Sequence, residues 1–258
     1  MLKKTRLDQI IRLIQDKGSV EISELCQLFD VTEMTARRDL DALATDGRII
    51  RTHGGALISA EDALVEKPFN TRMTLNLNAK QAIAKIALEY IIDGTKLFFN
   101  SSSSVLCLVN LIDNSRRLMI ATDTISIADE LNKRAHVTVI QIGGELCKNT
   151  LSSSGYMAEA MLRQFHFDAA IVGIKAIDQQ GDLYCSGMAE RGIYEALFET
   201  TDRIIVLADS SKIGQQDFLK VCNLKSIDTL ITDSNIPEEQ LISFRDKGFN
   251  IRLAEIPK

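Results

Sequence analysis

Cationic and short polar side chains are concentrated between residues 32 and 53 of this 258-residue sequence. Arg37 and Arg38 are adjacent, and two threonines lie just before them. Guanidinium groups clamp phosphates and read base edges in a major groove, so these residue types favour contact with double-stranded DNA. The candidate DNA-binding residues are Thr32, Glu33, Met34, Thr35, Arg37, Arg38, Arg51 and His53.

Small polar residues also follow apolar runs in the second part of the chain. Four consecutive serines occupy residues 101–104, and Asp209-Ser210-Ser211-Lys212 follows another apolar run. Hydroxyl groups, backbone N–H groups at a helix start and a lysine ammonium are donors that suit a phosphate. The candidate effector-binding residues are Asn100, Ser101, Ser102, Ser103, Ser104, Thr122, Asp123, Gly143, Gly144, Lys148, Glu190 and Lys212.

Each of these features also has a purely structural interpretation. A serine run is commonly a helix cap, Gly143-Gly144 a turn, and Lys212 alone an ordinary surface lysine. Arg37 and Arg38 would likewise form a solvated face in a small helical interaction domain. The recurrence of phosphate-compatible groups after several apolar runs favours a ligand site.

The two arginines lie on the outer face of a predicted amphipathic helix. Thr32 is placed to cap its start, and Asp46-Gly47 supplies the left-handed residue that ends it. At about 100° per residue, Arg37 and Arg38 point away from the apolar stripe. That stripe consists of Ala36, Leu40, Leu43 and Ala44.

A short β-hairpin is expected directly after this helix. The β-prone runs 48–52 and 56–58 are joined through His53-Gly54-Gly55, where we expect the glycines to supply the positive φ angles of a tight turn. Arg51 and His53 would then lie near the tip. Two upstream helices are predicted by apolar residues at helical spacing: Leu7, Ile10, Ile11 and Ile14, then Ile22, Leu25, Cys26 and Phe29. This order of elements is that of a winged helix-turn-helix.

The composition is that of an ordinary folded protein, with 45% hydrophobic and 25% charged residues. The net charge is −5. Residues 1–58 carry nine basic against nine acidic residues, which leaves 21 against 26 for residues 59–258. Neither part has a basic surplus, so DNA binding must depend on the local arrangement of charges.

Cysteine and histidine usage indicates neither a disulfide framework nor a metal site. The five cysteines are odd in number and contain no C-x-x-C, and the three histidines are widely spaced. We expect no metal, no cofactor and no catalytic residue. The sequence has no apolar run long enough to cross a bilayer, and we expect a cytoplasmic protein.

Apolar runs alternate with helical patterns in the second part of the chain. Predicted strands cover residues 96–99, 118–121, 137–142, 169–173, 204–208 and 229–231, and predicted helices cover 80–90, 104–112, 124–133, 156–165, 190–200 and 237–246. Nearly all-apolar strands that alternate with helices imply a mainly parallel sheet covered on both faces. The predicted fold class is α/β, with an N-terminal winged helix-turn-helix before a larger α/β sensor domain.

The expected domain boundaries follow from these patterns. Residues 1–58 form the DNA-binding domain, residues 59–79 a connector, and residues 80–258 the effector-binding and oligomerisation domain. The connector has no clear periodicity, yet it contains too many apolar residues for a solvated linker, so we expect it to lie along one of the domains.

The sequence resembles the DeoR family of bacterial transcriptional regulators over nearly its whole length. In the N-terminal part the matching residues are Thr32, Met34, Thr35, Arg37, Arg38, Asp39, Leu40, Leu43, Gly47, Ile50, Arg51, His53, Gly54, Gly55 and Ala56. The second part is similar to the family's sensor domain at residues 80–94, Thr122, 142–144, Gly155, Asp168, Gly173, Glu190, 207–214 and 231–233, and residues 66–69 with Arg72 resemble its connector. The resemblance implies a fold similar to ribose-5-phosphate isomerase, a phosphorylated sugar or sugar-derived effector, and repression of a carbohydrate operon.

Four departures from the family pattern concern the effector. Residues 100–104 read Asn-Ser-Ser-Ser-Ser where the family usually has Asp-Ser-Gly-Thr-Thr, and Thr122-Asp123-Thr124 replaces Thr-Asn-Ser. Tyr194 occupies a position where a lysine is common, and Lys175 stands where an uncharged or acidic residue is usual. The identity of the effector is therefore not transferable from the family.

Two alternative functions remain open from the sequence. A sugar-phosphate isomerase would need a carboxylate base, which Asp123, Asp209 or Glu190 could supply, but fold similarity is weak support for catalysis. An activator or an architectural DNA binder is the other alternative. A homo-oligomer, dimer or tetramer, is expected because winged-helix regulators bind repeated half-sites.

Overall fold

The computed structural model separates the chain into two units, residues 1–67 and residues 68–258. The residues that the structure describes are 3–17, 19–45, 49–52, 54–58 and 69–256. The expected helix end at Gly47, the candidate residue His53 and residues 59–68 of the expected connector lie outside this part.

The N-terminal unit contains the expected three helices and hairpin. Its elements are α1 (Lys3–Lys17), β1 (Ser19–Glu21), α2 (Ile22–Phe29), α3 (Glu33–Thr45), β2 (Ile49–Arg51) and β3 (Gly55–Ile58). Apolar residues that predicted the helices form its core, where Ile14, Leu25 and Leu40 have no exposed surface. The winged helix-turn-helix prediction is confirmed.

Thr32 begins α3 as the sequence predicted. Its hydroxyl accepts from the N–H of Thr35 at 3.4 Å, and its carbonyl accepts from the N–H of Ala36 at 3.0 Å. A left-handed residue, Asp30 with φ 49°, ends α2 just before this cap. Together they fix the turn that presents α3.

The wing is a three-stranded antiparallel sheet in the order β1-β3-β2. The prediction that Gly54 and Gly55 supply positive φ angles is wrong, since neither has one. Gly55 instead meets β1 so closely that an added Cβ would lie 1.9 Å from the carbonyl oxygen of Val20. The glycine is required by the close approach of two backbones.

The second unit alternates strands and helices. Its helices are α4 (Phe69–Thr74), α5 (Leu77–Ala87), α6 (Ser103–Leu111), α7 (Ile125–Asn132), α8 (Tyr156–Leu162), α9 (Met188–Thr200) and α10 (Glu238–Asp246). Its strands are β4 (Lys96–Phe99), β5 (Leu118–Thr122), β6 (Val137–Gln141), β7 (Glu145–Cys147), β8 (Ser152–Ser154), β9 (Ala169–Gly173), β10 (Ala176–Ile177), β11 (Asp182–Cys185), β12 (Ile204–Leu207), β13 (Leu219–Asn223), β14 (Thr229–Asp233) and β15 (Ile251–Ala254).

Seven of these strands form one parallel sheet in the order β15-β14-β12-β9-β4-β5-β6. Its two faces carry separate cores, because Phe98 packs into one while its neighbours Leu97 and Phe99 pack into the other. This burial on both faces explains the nearly all-apolar strands. The predicted α/β class is confirmed, and the strands end at one common edge.

Short strands outside this sheet were not predicted. β7 and β8 form an antiparallel hairpin, and β10, β11 and β13 form a small antiparallel sheet. Their strands are two to five residues long, too short for a clear alternation. β15 at the edge of the main sheet was also missed.

Helix α4 lies within the stretch that the sequence pattern assigned to a connector. It begins at Phe69, whose side chain is only 3% exposed, and its residues belong to the second unit. Six residues make fewer than two helical turns, which leaves no readable periodicity.

Candidate functional site

The outward face of α3 carries the candidate DNA-binding residues. Met34 is 64% exposed, and the side chains of Arg37 and Arg38 are also exposed. Arg37 lies 3.6 Å from Glu33 one turn earlier, an exposed ion pair that contributes little to stability. The helix therefore presents two guanidinium groups that a phosphate could engage.

Arg51 connects α3 to the wing. Its Nε lies 2.9 Å from Asp41 Oδ1 on α3, and its Nη1 donates to the carbonyl of Gly55. The sequence placed this arginine near the wing tip, and it does end β2 directly before the hairpin turn, where it also holds the wing against the helix. Its side chain remains partly exposed, so one surface could include both elements.

The four serines of residues 101–104, named here the serine loop, lie at the end of β4 and the start of α6. Ser102 caps α6, since its Oγ accepts from the N–H of Ser104 at 3.2 Å. The loop passes so close to β9 that a Cβ on Gly173 would lie 2.1 Å from Ser102 Oγ. The serines thus act as a cap, and they also lie at the sheet edge where ligands bind in parallel α/β folds.

The side-chain amide of Asn100 is hydrogen-bonded to other groups of the protein. Its Oδ1 accepts from the N–H of Gly173 at 2.8 Å, and its Nδ2 donates to the carbonyl of Gly173 at 3.0 Å and to Tyr194 Oη at 3.1 Å. Tyr194 Oη in turn donates to that carbonyl. Two departures from the family pattern, at residues 100 and 194, therefore contact each other and form one neutral hydrogen-bonded group.

Two cations that the sequence did not nominate lie at the same edge. Lys80 is only 4% exposed, and its Nζ donates to the carbonyl of Leu75 at 2.6 Å and to that of Arg72. Arg72 Nη1 donates to the carbonyl of Ser101 at 3.2 Å. Family resemblance was the only sequence signal for either residue.

Lys212 belongs to this cationic group. Burial lowers the pKa of Lys80, the nearby carboxylate of Asp209 acts in the opposite direction, and the charges of Lys212 and Arg72 lower that pKa further. Charges that affect one another in this way are close in space. The hydrogen bonds from Asn76 to Asp209 and Ser211 place the turn that carries Lys212 beside the segment that carries Arg72 and Lys80.

The Lys212 turn, residues 209–212, is held from two sides. Asp209 Oδ1 accepts from Asn76 Nδ2 at 2.9 Å and from the N–H of Ser211 at 3.2 Å. The N–H of Ser210 donates to Asp233 Oδ2 at 2.6 Å. These bonds fix the backbone from which Lys212 extends.

Thr122 and Asp123 lie at the end of β5, beside β4. Thr122 Oγ1 accepts from the N–H of Thr124 at 3.2 Å, and the hydroxyl of Thr124 donates to Asp123 Oδ1 at 2.7 Å. The backbone carbonyl of Asp123 accepts from the N–H of Ser153 at 2.7 Å. Both side chains are buried, and it is the backbone carbonyl of Asp123 that attaches the β7–β8 hairpin to the sheet edge.

The remaining candidates occupy other positions. Gly144 has φ 153°, and a Cβ there would lie 2.6 Å from the carbonyl oxygen of Ser154 at the end of β8, whereas a Cβ on Gly143 would meet no atom within 4 Å. Lys148 lies in the exposed turn between β7 and β8. Glu190 accepts from the N–H of Ser186 at 3.0 Å in the first turn of α9.

The described residues contain neither a metal-binding cluster nor a membrane-spanning helix. No group of three or more His, Cys, Asp or Glu side chains in that part of the chain could hold a metal ion. Among the helices described, none has the length and apolar character needed to cross a membrane.

Comparison with known proteins identifies both units. Residues 6–61 match the DeoR-like helix-turn-helix domain, and residues 75–234 match the DeoR C terminal sensor domain. The lactose phosphotransferase system repressor of Lactococcus lactis subsp. lactis is 31% identical over 95% of this chain and 96% of its own. The glycerol-3-phosphate regulon repressor of Escherichia coli (strain K12) is 28% identical over 98% of this chain and 100% of its own.

The similarity to solved structures is more distant. Ribose 5 phosphate isomerase A from Neisseria gonorrhoeae matches 52% of this chain and 52% of its own, with 12% identity and a TM-score of 0.38. That value is too low to assign an activity. The matches to both domains, which together span most of the sequence, show that the chain belongs to the DeoR family of DNA-binding transcriptional regulators.

Proposed function

We propose that this protein represses a carbohydrate-metabolism operon and is controlled by a phosphorylated sugar or a related metabolite. It would act in the cytoplasm as a homo-oligomer, a dimer or a tetramer, on double-stranded operator DNA. The observation that supports the effector most directly is the group of three cations, Arg72, Lys80 and Lys212, beside the serine loop.

The DNA contact is proposed for the exposed face of α3 together with the wing. Arg37 and Arg38 are exposed on a capped, well-packed helix, which is the arrangement that recognition helices use in a major groove. Thr32, Thr35 and Met34 extend the same surface. Arg51 joins this surface to the wing through Asp41.

The effector is proposed to be anionic for an electrostatic reason. Lys80, Lys212 and Arg72 carry three positive charges, and the carboxylates of Asp209 and Asp233 lie with them at the Lys212 turn. The cations outnumber these two carboxylates, so a phosphate monoester of charge about −1.5 to −2 would be attracted to the remaining positive charge. The names of two relatives, a glycerol-3-phosphate regulon repressor and a lactose phosphotransferase system repressor, support the same class of compound.

Catalysis is not part of the proposal. An isomerase needs a carboxylate that can take a proton from its substrate, yet Asp123 accepts from Thr124 and Asp209 accepts from Asn76 and Ser211. Purified protein should therefore bind sugar phosphates without converting aldose into ketose. Turnover that is proportional to protein concentration and is lost in an Asp123→Asn variant would establish an enzyme instead.

The proposed effector site is tested by a thermal-shift screen of sugar phosphates on the full-length protein. A ligand at 100 times its dissociation constant stabilises the fold by about 2.7 kcal/mol. Lys212→Ala should weaken binding of the active compound by about 1.5–3 kcal/mol, because a charge-assisted hydrogen bond is lost. Lys225→Ala, which removes an exposed lysine from a similar short turn, is the control. Equal ligand affinities for both variants would place the effector elsewhere.

A further inference from the structure

Residues 69–80, named here the strap, run across three parts of the proposed effector site. The N–H of Phe69 donates to the carbonyl of Asn149 in the turn of the β7–β8 hairpin, at 3.0 Å. Arg72 donates to Ser101 in the serine loop. Asn76 Nδ2 donates to Asp209 Oδ1 at 2.9 Å and to Ser211 Oγ at 3.1 Å.

The strap is braced internally. Lys80 Nζ donates to two carbonyls at the carboxyl end of α4, those of Arg72 and Leu75. Phe69 is buried, and the guanidinium of Arg72 lies over its ring at 5.3 Å from the centroid. A displacement at one end of this braced segment should therefore be carried to the other end.

The strap is also where the chain arrives from the N-terminal unit. Strand β3 ends at Ile58, and α4, which begins at Phe69, is the next element that the structure describes. The covalent path between the DNA-binding unit and the proposed effector site consequently enters that site through the strap.

Ser211 connects the strap to ligand binding. Its hydroxyl donates to Asp209 and accepts from Asn76. An anion held by Lys212, the next residue, would be a competing acceptor for that hydroxyl proton. Binding of an anion and the contacts of Asn76 are then thermodynamically linked, since both depend on the same hydroxyl group.

We propose that Asn76 is a positioning residue that couples the Lys212 turn to the strap, so that occupancy of the effector site changes the position of α4 and with it operator binding. The inference rests on the proposed function. In this role Asn76 contacts neither the effector nor DNA.

The backbone at Asn76 allows a clean variant. Its φ is 51°, in the left-handed region that asparagine and glycine tolerate better than other residues. Asn76→Gly therefore removes the amide and keeps the backbone conformation. Asn76→Asp places a second carboxylate against Asp209, and Asn78→Asp introduces the same charge two residues later as a matched control.

The test uses the reciprocity of coupled sites, which does not require an identified effector. Hydrogen exchange is measured on the full-length protein with and without an operator selected from random DNA. In the parent and in Asn78→Asp, operator binding should change the amide exchange rates of the strap and of the Lys212 turn by at least about threefold. A threefold change corresponds to a coupling free energy of about 0.65 kcal/mol. Asn76→Gly and Asn76→Asp should still bind the operator. In both variants the amide exchange rates of the Lys212 turn should be the same with and without operator.

Two results would overturn the proposal. The first is a parent that binds its operator without any change in exchange of the strap, which needs no variant to fold. The second is an Asn76→Gly protein whose Lys212 turn responds to operator as the parent's does. Inorganic phosphate provides a separate measurement, because protection of the serine loop and Lys212 by phosphate should survive in Asn76→Gly. If phosphate does not protect these residues in the parent, the proposed effector site is contradicted. The role of Asn76 is decided by the operator measurement alone.

Discussion

Arg6 Nε lies 2.6 Å from Asp39 Oδ2 and joins α1 to the inner side of α3. Asp39 is only 2% exposed, although its neighbour Arg38 faces the solvent. The hydrogen bond that Arg6 donates to Asp39 raises the pKa of the Arg6 guanidinium. The ion pair thus fixes how the recognition helix is rotated relative to the rest of its unit.

Removing one partner of this pair should destabilise the N-terminal unit. Asp39→Ala or Arg6→Ala leaves a poorly solvated charge and should lower the free energy of unfolding by about 3 kcal/mol. The combined change Arg6→Met with Asp39→Leu should recover most of the loss, because no unpaired charge remains. Denaturant unfolding of the full-length variants measures these values. Strictly additive losses in the double variant would show that the two side chains do not interact.

Arg37→Ala and Arg38→Ala should weaken operator binding without changing the melting temperature. Loss of a phosphate contact lowers affinity for all DNA equally and reduces the salt slope by about one, whereas loss of a base contact costs about 1–3 kcal/mol at one position. Fluorescence anisotropy at several salt concentrations separates these cases. Arg116→Ala, an exposed arginine of the second unit, is the control. If neither α3 variant differs from that control, this helix does not contact DNA.

Asn100 and Tyr194 should behave as one unit in a double-mutant cycle. Asn100→Asp brings a carboxylate towards the carbonyl of Gly173, and Tyr194→Lys buries a cation, so each change alone should cost about 1–3 kcal/mol. The double variant forms an ion pair and should be more stable than the sum of the single effects by about 1 kcal/mol. The free energy of unfolding in urea is the measurement. A second cycle that combines Asn100→Asp with Tyr194→Phe, which introduces no cation, is the comparison. Equal coupling free energies in the two cycles would argue against a charge effect.

Lys80 should make stability depend on alkaline pH. Burial lowers its pKa below the ordinary value of 10.5, so the unfolded chain binds more protons than the folded chain between the two pKa values. The free energy of unfolding contributed by Lys80 should therefore rise with pH through that window and level off above 10.5. Urea titrations at several pH values compare the parent with Lys80→Met and with Lys85→Met, an exposed lysine of the same helix. The expected result is a pH dependence that only Lys80→Met removes; its persistence in that variant would contradict the assignment.

The sequence predicted the elements that its apolar spacing determines. Strands β4 and β9 have the expected bounds because each is buried on both faces, and because Asn100 follows β4 and Gly173 ends β9. The wing was expected as a hairpin, but β1 joins it through a pairing between residues distant in sequence. Periodicity within a segment carries no information on such pairing.

The sequence predicted only part of the candidate effector site, because the rest depends on contacts between residues that are distant in the chain. Strand ends and local polarity nominated the serine loop and Lys212, which both lie at the expected sheet edge. Asn76 and Asp209 are 133 residues apart, and their contact depends on the assembled fold. Lys80 appeared in the sequence as one member of an amphipathic helix, and only its burial against α4 reveals the cationic group.

The central position of β3 in the wing limits how this regulator can be re-engineered. β3 pairs with β2 on one side and with β1 on the other, from Ser19↔Leu57 to Glu21↔Gly55. A graft that transfers only α3 and the hairpin from another regulator would leave the inherited β1 facing a foreign strand. Any residue larger than glycine at position 55 would then collide with the carbonyl of Val20. Exchange of DNA specificity should therefore succeed only when β1 is transplanted together with the helix and the hairpin.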